Sequence, residues 1–186
     1  MPITDSVRLA AVIYQTGFQI DDFLARVANL LRADHVGVGG VLQENARGAD
    51  FCSAMTVVDL ASQSRFPISQ ALGSQAQGCR LDARGLADMA ALLERTPTRD
   101  IELVILNKFG KAEAEGGGLR SAFERAIESG IPVVTAVRSP YTEAWSHFHG
   151  RLAVDLAPDL DAVLAWCRDA VYELRRSRKQ LTAGHR

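Results

Sequence analysis

The chain reads as one α/β domain with a mainly parallel central sheet, and three observations carry that reading. Short apolar runs without a helical period recur at residues 7–14, 35–43, 101–106 and 131–137. Most of them pass at once into a polar turn and then into apolar residues spaced three and four apart. Strands alternating with helices in this way bury a parallel sheet between two helical layers.

The first run, 7–14, is followed by the turn Gln15-Thr16-Gly17-Phe18-Gln19. Ile20, Phe23, Leu24, Val27, Leu30 and Leu31 then lie at helical spacing. Asp21 and Asp22 fall in the first turn, where the helix dipole favours carboxylates. The second strand, 35–43, carries Gly37, Gly39 and Gly40, a sign of close backbone approach to a neighbour. From 44 to 77 the sequence turns polar, with a strand expected at 55–60 inside a hairpin excursion. Asp82 is placed to cap a helix whose apolar side is Leu86, Met89, Ala90 and Leu93. After the strand at 101–106, Leu119, Ala122, Phe123, Ala126 and Ile127 form another amphipathic helix, stopped by Gly130. A strand at 131–137, a short helix at 141–147, a short strand at 152–156 and a long helix at about 159–178 complete the chain. The cations Arg175, Arg176, Arg178 and Lys179 sit at the last helix's negative end, most simply as a solvated terminus.

Composition bounds the function. The 186 residues are 47% hydrophobic and 23% charged, enough apolar content for a good core. A net charge of -1 gives no electrostatic case for nucleic acid or a membrane as partner. Cys52, Cys79 and Cys167 are far apart and odd in number, which argues against a disulfide framework or zinc site. Neither a signal peptide nor a membrane-spanning run is legible, so the expected location is the cytoplasm.

The most informative stretch is Leu103-Val104-Ile105-Leu106-Asn107-Lys108-Phe109-Gly110-Lys111-Ala112-Glu113. It reads as a buried strand running into a charged turn, and the carboxyl end of such a strand is where α/β proteins bind ligands. Metal-dependent phosphate hydrolysis needs carboxylates there; this chain offers an amide and a cation. A phosphate loop would sit after the first strand, with glycines to present amides, a lysine for charge and a hydroxyl for magnesium. Between Tyr14 and Asp22 there is one glycine and no lysine. The amides of Gly17, Phe18 and Gln19 remain candidates for an anion at the helix N-terminus, with Asp21 and Asp22 competing.

The remaining candidates divide between binding and structure. Lys111 and Arg120 accompany Lys108 in the turn, with Glu113, Glu115 and the flexible Gly116-Gly117-Gly118; a solvated, salt-bridged loop is the plainer alternative. Cys79-Arg80 before Asp82 forms a candidate anion clamp, or else a buried thiol beside an arginine paired with Asp82 or Asp88. His147 and His149, two apart in an expected loop, lack a third ligand, so no metal site is expected. His35 reads as structural.

With these residues laid out, the chain resembles a bacterial family of uncharacterised proteins related to P-loop nucleoside triphosphatases, whose genes often lie near those for molybdenum handling. The likeness rests above all on Asn107-Lys108-Phe109-Gly110-Lys111 with Glu113, Glu115, Gly116 and Arg120. In the related triphosphatases the strand ends in Asp-Glu before a Gly-Lys-x-Glu turn; here Asn107-Lys108 replaces the acids, and the Walker A lysine and hydroxyl have no match. The resemblance implies a three-layer P-loop-like fold and a ligand that is a nucleotide or a phosphate-like oxyanion, molybdate included. The leading expectation is a non-hydrolysing binding protein whose small anionic ligand meets Thr16, Gly17, Phe18, Gln19, Arg80, Asn107, Lys108, Lys111 and Arg120. A triphosphatase with an altered site, recruiting Glu113 or Asp82 for magnesium, is one alternative. A scaffold for a protein partner or a homo-oligomer, with an empty pocket, is the other. Within the leading reading one plainer role stays open, in which Lys108 simply pairs with Asp21 or Asp22.

Overall fold

A computed structural model describes residues 8–44, 56–67, 69–70, 80–81 and 99–183. The strands are β1 (Leu9–Tyr14), β2 (Val38–Glu44), β3 (Thr56–Asp59), β4 (Arg65–Pro67), β5 (Ser69–Gln70), β6 (Arg80–Leu81), β7 (Leu103–Phe109), β8 (Val133–Arg138) and β9 (Ala153–Leu156). The helices are α1 (Ile20–Ala33), α2 (Lys111–Ala114), α3 (Arg120–Glu128), α4 (Thr142–His149) and α5 (Leu160–Ala183). The helix expected from Asp82, and Cys52 and Cys79, lie outside the described residues.

Seven strands form one sheet in the order β4-β3-β2-β7-β8-β1-β9. The run from β2 to β9 is parallel throughout. Antiparallel β3 and β4 extend it beyond β2, and β5 pairs with β6 in a separate antiparallel ribbon. The described part of the excursion expected between 44 and 77 is therefore antiparallel strands, with a turn between β3 and β4. Its β3–β4 turn is closed by buried Asp59, which accepts hydrogen bonds from the Ser62 amide at 3.0 Å and the Ser62 hydroxyl at 2.5 Å.

Helices cover both faces, which is why β1, β7 and β8 are apolar on successive residues instead of alternating. On one face Ile20, Leu24, Val27 and Leu31 of α1 and Val163, Leu164, Cys167 and Val171 of α5 pack on Val12, Ile105 and Ala136. On the other, Phe123 of α3 and Trp145 of α4 pack on Ala11, Leu106, Phe109 and Val137. Leu30 of the expected α1 stripe is 36% exposed, because the buried arc is centred on Leu24 and Leu31 and takes in Ala28 instead. Burial pushes the Cys167 thiol up to about 12, so it stays protonated and inert near neutrality. The expected close approach at the second strand is real: a β-carbon on Gly37 would stand 1.9 Å from the Asp100 carbonyl, and one on Gly39 would stand 2.6 Å from the Ile101 side chain.

Three boundaries differ from the sequence reading. The strand expected to end at Leu106 runs on to Phe109, so Asn107 and Lys108 belong to the strand and not to the turn. The cause is a bulge: Leu106 pairs with Thr135 and Phe109 with Val137, so two residues of β7 oppose Ala136 alone. His147 and His149 lie at the end of α4 and not in a loop. Finally, α5 reaches Ala183, and its basic run is more than a solvated end. Arg175 grips Glu102 with two contacts of 2.6 Å, and Arg178 donates to the Ile101 carbonyl at 3.0 Å. The helix is thus tied to the segment that leads into β7.

Candidate functional site

Parallel pairing puts the ends of β1, β2, β7 and β8 at one edge. Tyr14 is in register with Arg138, and Phe109 with Val137. The helix after β1 covers one face and the helix after β8 covers the other, as the two cores show. Neighbouring strands whose chains leave in opposite directions open a crevice at their carboxyl ends, the usual ligand position in such sheets.

The β7 bulge decides what faces this crevice. Ile105 points to the α1 side and Leu106 to the other. Regular alternation would send Asn107 toward α1 and Lys108 away. The extra residue resets that alternation, so Lys108 turns to α1 and Phe109 to the other face. Its ammonium lies 2.9 Å and 3.1 Å from the two carboxylate oxygens of Asp21 and 3.4 Å from Gln43 Oε1. The Lys108 and Asp21 side chains are 30% and 16% exposed, so the pair is near the surface but partly shielded from water. Asn107 is buried, and its Oδ1 makes no hydrogen bond.

Around this pair stand Tyr14 and Arg138. Burial, and secondarily the charge of Asp21, hold the Tyr14 phenol above its ordinary value, while Arg138 acts the other way. Arg138 lies 5.7 Å over the Tyr141 ring and forms no ion pair among the described residues. Gln43 and Arg138 were not singled out from the sequence as site residues. The signal that finds them is positional: each is a polar residue at or next to the last position of an apolar parallel strand.

The loop after β1 spans five residues, Gln15 to Gln19. It is a tight turn: the Phe18 amide donates to the Gln15 carbonyl at 3.2 Å, and Gly17 supplies the φ of +97° that the turn needs. The Phe18 amide is therefore engaged within the turn, and Gly17 and Gln19 carry what is left of the expected amide set. Thr16 is exposed beside them. Phe18, 38% exposed, lies edge-on to Phe23 at 5.5 Å.

The rest of the charged segment is built differently. Glu113 is buried, and both its carboxylate oxygens accept backbone amides, from Gly110 at 2.9 Å and Leu119 at 3.0 Å. It closes the start of α2 and holds the approach to α3. A β-carbon on Gly118, whose φ is +61°, would stand 2.1 Å from Glu113 Oε1. Lys111 is exposed and pairs loosely with Glu115 at 3.8 Å, the plainer of the two sequence readings. Arg120 lies 4.7 Å over the Phe148 ring, on the α4 side of the sheet, and donates to the Glu113 carbonyl at 3.4 Å. Through Asp21 the structure brings Lys108 to the first turn of α1, which follows the Gly17 turn, and Asn107 adjoins Lys108 on β7. It does not bring Lys111 or Arg120 to them. Arg80 lies in β6, with only its backbone described.

His147 pairs weakly with Glu143 at 4.0 Å, and the His149 ring stacks near Trp145 at 4.9 Å. Among the described residues no group of three or more His, Cys, Asp and Glu is arranged to hold a metal ion. Among the same residues no helix is long and apolar enough to cross a membrane.

Comparison with known proteins fits this architecture. The family described as protein of unknown function DUF2478 matches residues 9–166. Molybdenum import ATP-binding protein ModC 2 of Bradyrhizobium diazoefficiens is 38% identical over 177 residues, which is 94% of this chain. This chain spans only 20% of that protein's length. The solution structure of a human cancer-related nucleoside triphosphatase superposes with a TM-score of 0.61 at 15% identity, covering 90% of this chain and 98% of that one. THEP1 from the hyperthermophile Aquifex aeolicus gives 0.56 at 12% identity, covering 86% and 95%. At such identities the likeness carries the fold alone, an α/β fold like that of these two structures.

Proposed function

The chain belongs to the family described as protein of unknown function DUF2478, and we propose that it is a P-loop-derived binding protein that holds a nucleotide or a phosphate-like oxyanion without hydrolysing it. The observation that carries this reading is the β7 bulge, which turns Lys108 toward the crevice where a hydrolase needs acids and leaves the adjoining Asn107 buried with its Oδ1 unbonded. Lys108 and Arg138 supply positive charge from adjacent strand ends, and Asn107 adds an amide. The acid nearest in sequence, Glu113, has both oxygens committed to backbone amides. Moving it to a metal would leave two amides unpaired, at about 1–3 kcal/mol each. The five-residue turn after β1 also lacks the lysine that grips phosphates in working P-loops.

The relative named a molybdenum import ATP-binding protein makes both ATP and molybdate natural first probes, although this chain covers a fifth of it. Molybdate is a tetrahedral dianion and asks for the same donors as phosphate. A cytoplasmic location accords with ligands of this kind. A second reading, favoured by the Lys108–Asp21 ion pair, is a scaffold in which that pair fills the phosphate position permanently and the protein acts through a protein partner or a second copy.

A thermal-shift screen separates these readings. Phosphate, molybdate, tungstate, ATP and GTP are offered with and without magnesium. A ligand at 100 times its dissociation constant should add about 2.7 kcal/mol of stability. No shift with any of them favours the scaffold. Magnesium-dependent turnover of ATP or GTP at ~1 s⁻¹ or faster would place the protein among ordinary enzymes and overturn the proposal.

A further inference from the structure

We infer that Asp21 is the specificity-determining residue of this anion site: its carboxylate occupies Lys108 until a multiply charged oxyanion displaces it, so divalent ligands are admitted and monovalent ones are not. The inference rests on the binding reading above. Its first support is geometric. Both oxygens of Asp21 lie within 3.1 Å of the Lys108 ammonium, and Gln43 Oε1 stands on a further side at 3.4 Å. An ammonium has three donors. Asp21 Oδ2 and Gln43 Oε1 accept from two of them, and the second Asp21 oxygen crowds the ammonium at 2.9 Å without a hydrogen bond, so an incoming anion competes with the carboxylate for the same charge.

The second support is where Asp21 is held. It lies in the first turn of α1, directly after the Gly17 turn, so the helix keeps its carboxylate beside Lys108. A tethered group of this kind competes at an effective concentration of about millimolar or above. A monovalent anion exchanges one negative charge for one already present, gains nothing in charge and loses to the tether. A dianion brings a second charge. Arg138, at the end of the adjacent strand β8 and without an ion pair among the described residues, is the cation to receive it. Tetrahedral oxyanions and the phosphates of nucleotides meet this requirement, whereas nitrate and chloride do not.

The experiment is calorimetric titration of the full chain at fixed ionic strength with molybdate, inorganic phosphate, ATP and nitrate. Wild type, Asp21→Asn, Asp21→Ser, Lys108→Ala and the Asp21→Asn/Lys108→Ala double variant are compared, each checked for native melting. Removing the competing carboxylate should tighten molybdate and phosphate by about tenfold or more in both Asp21 variants. Nitrate should gain a larger factor, so the preference for dianions narrows. Lys108→Ala should weaken binding whether or not Asp21 is present. Wild type that binds a dianion while both Asp21 variants bind it equally or less tightly overturns the inference and leaves the binding reading intact. Absence of binding in every variant, Asp21→Asn included, overturns the binding reading and this inference with it.

Discussion

Two charged segments meet at the carboxyl edge of the sheet, and they spend their charges in opposite ways. In the segment from Gly110 to Arg120, charge is consumed by the backbone. Glu113 caps two chain turns, Arg120 lies on Phe148, and Lys111 and Glu115 face solvent. At the β7 bulge, charge meets a side-chain charge: Lys108 pairs with Asp21, and Gln43 Oε1 stands beside them. A backbone amide cannot leave its carboxylate without unfolding the turn. A side-chain partner can rotate away when a better one arrives. Richness in charge is thus common to both segments, and on the proposed reading the exchangeable pair is what sets the binding site apart.

Mutations that attack this contrast should have unequal effects on stability and binding. The largest stability loss is expected at Glu113. Glu113→Ala strands two amides of which one is buried, so chemical denaturation should show a loss of about 2–4 kcal/mol. Gly118→Ala should approach that cost, because its β-carbon would collide with the same carboxylate at a positive φ. If both variants melt like wild type, the capping role is wrong and Glu113 becomes available for chemistry again. Next in size is Lys108→Ala, which should weaken oxyanion or nucleotide binding about ten- to a hundredfold through loss of a charge-assisted hydrogen bond. Its effect on stability should be smaller than that of Glu113→Ala.

A smaller effect is expected from the clamp between the last helix and the β7 approach. The hydrogen bond from Arg175 holds the Glu102 carboxyl below its ordinary value, helped by the Gly37 amide and opposed by burial. A depressed carboxylate contributes stability that is complete above the ordinary carboxylate range and is lost as pH falls through the lower, folded value. Glu102→Gln should therefore cost about 1 kcal/mol at neutral pH and almost nothing once acid has protonated the wild-type group. Urea titrations at neutral and strongly acidic pH measure the difference, and a penalty independent of pH would refute the ionic role. Smallest of all, Lys111→Ala and Glu115→Ala should each change stability by less than about 0.5 kcal/mol and leave anion binding untouched.

Much of the fold was legible because period and punctuation agree. The stripe of α1, the stop at Gly130, the Asp159 start of α5 and the apolar runs of β1 and β8 all survive in the structure. The site was legible only in part. Lys108 stood out as a cation where an acid was expected, and the chance of its pairing with Asp21 could be stated. What sequence could not reveal was the bulge, since two residues opposite one is a property of pairing between distant strands. The same bulge explains why β7 outruns its apolar run. Arg138 and Gln43 were missed for a related reason: their importance comes from which strands are neighbours, and strand order is not written in any local pattern. Conversely Lys111 and Arg120 were candidate cations of the same segment as Lys108, yet the chain turns after Phe109 and carries Arg120 to the opposite face.

The claim that this edge of the sheet is an exchangeable anion site is tested most directly by one comparison. Molybdate, phosphate and ATP are titrated calorimetrically into wild type and Lys108→Ala under identical salt. Saturable binding of at least one of these anions to wild type is expected, weakened about ten- to a hundredfold in the variant. Equal affinity of the two proteins for every anion that binds would contradict it and leave Lys108 as no more than the structural partner of Asp21.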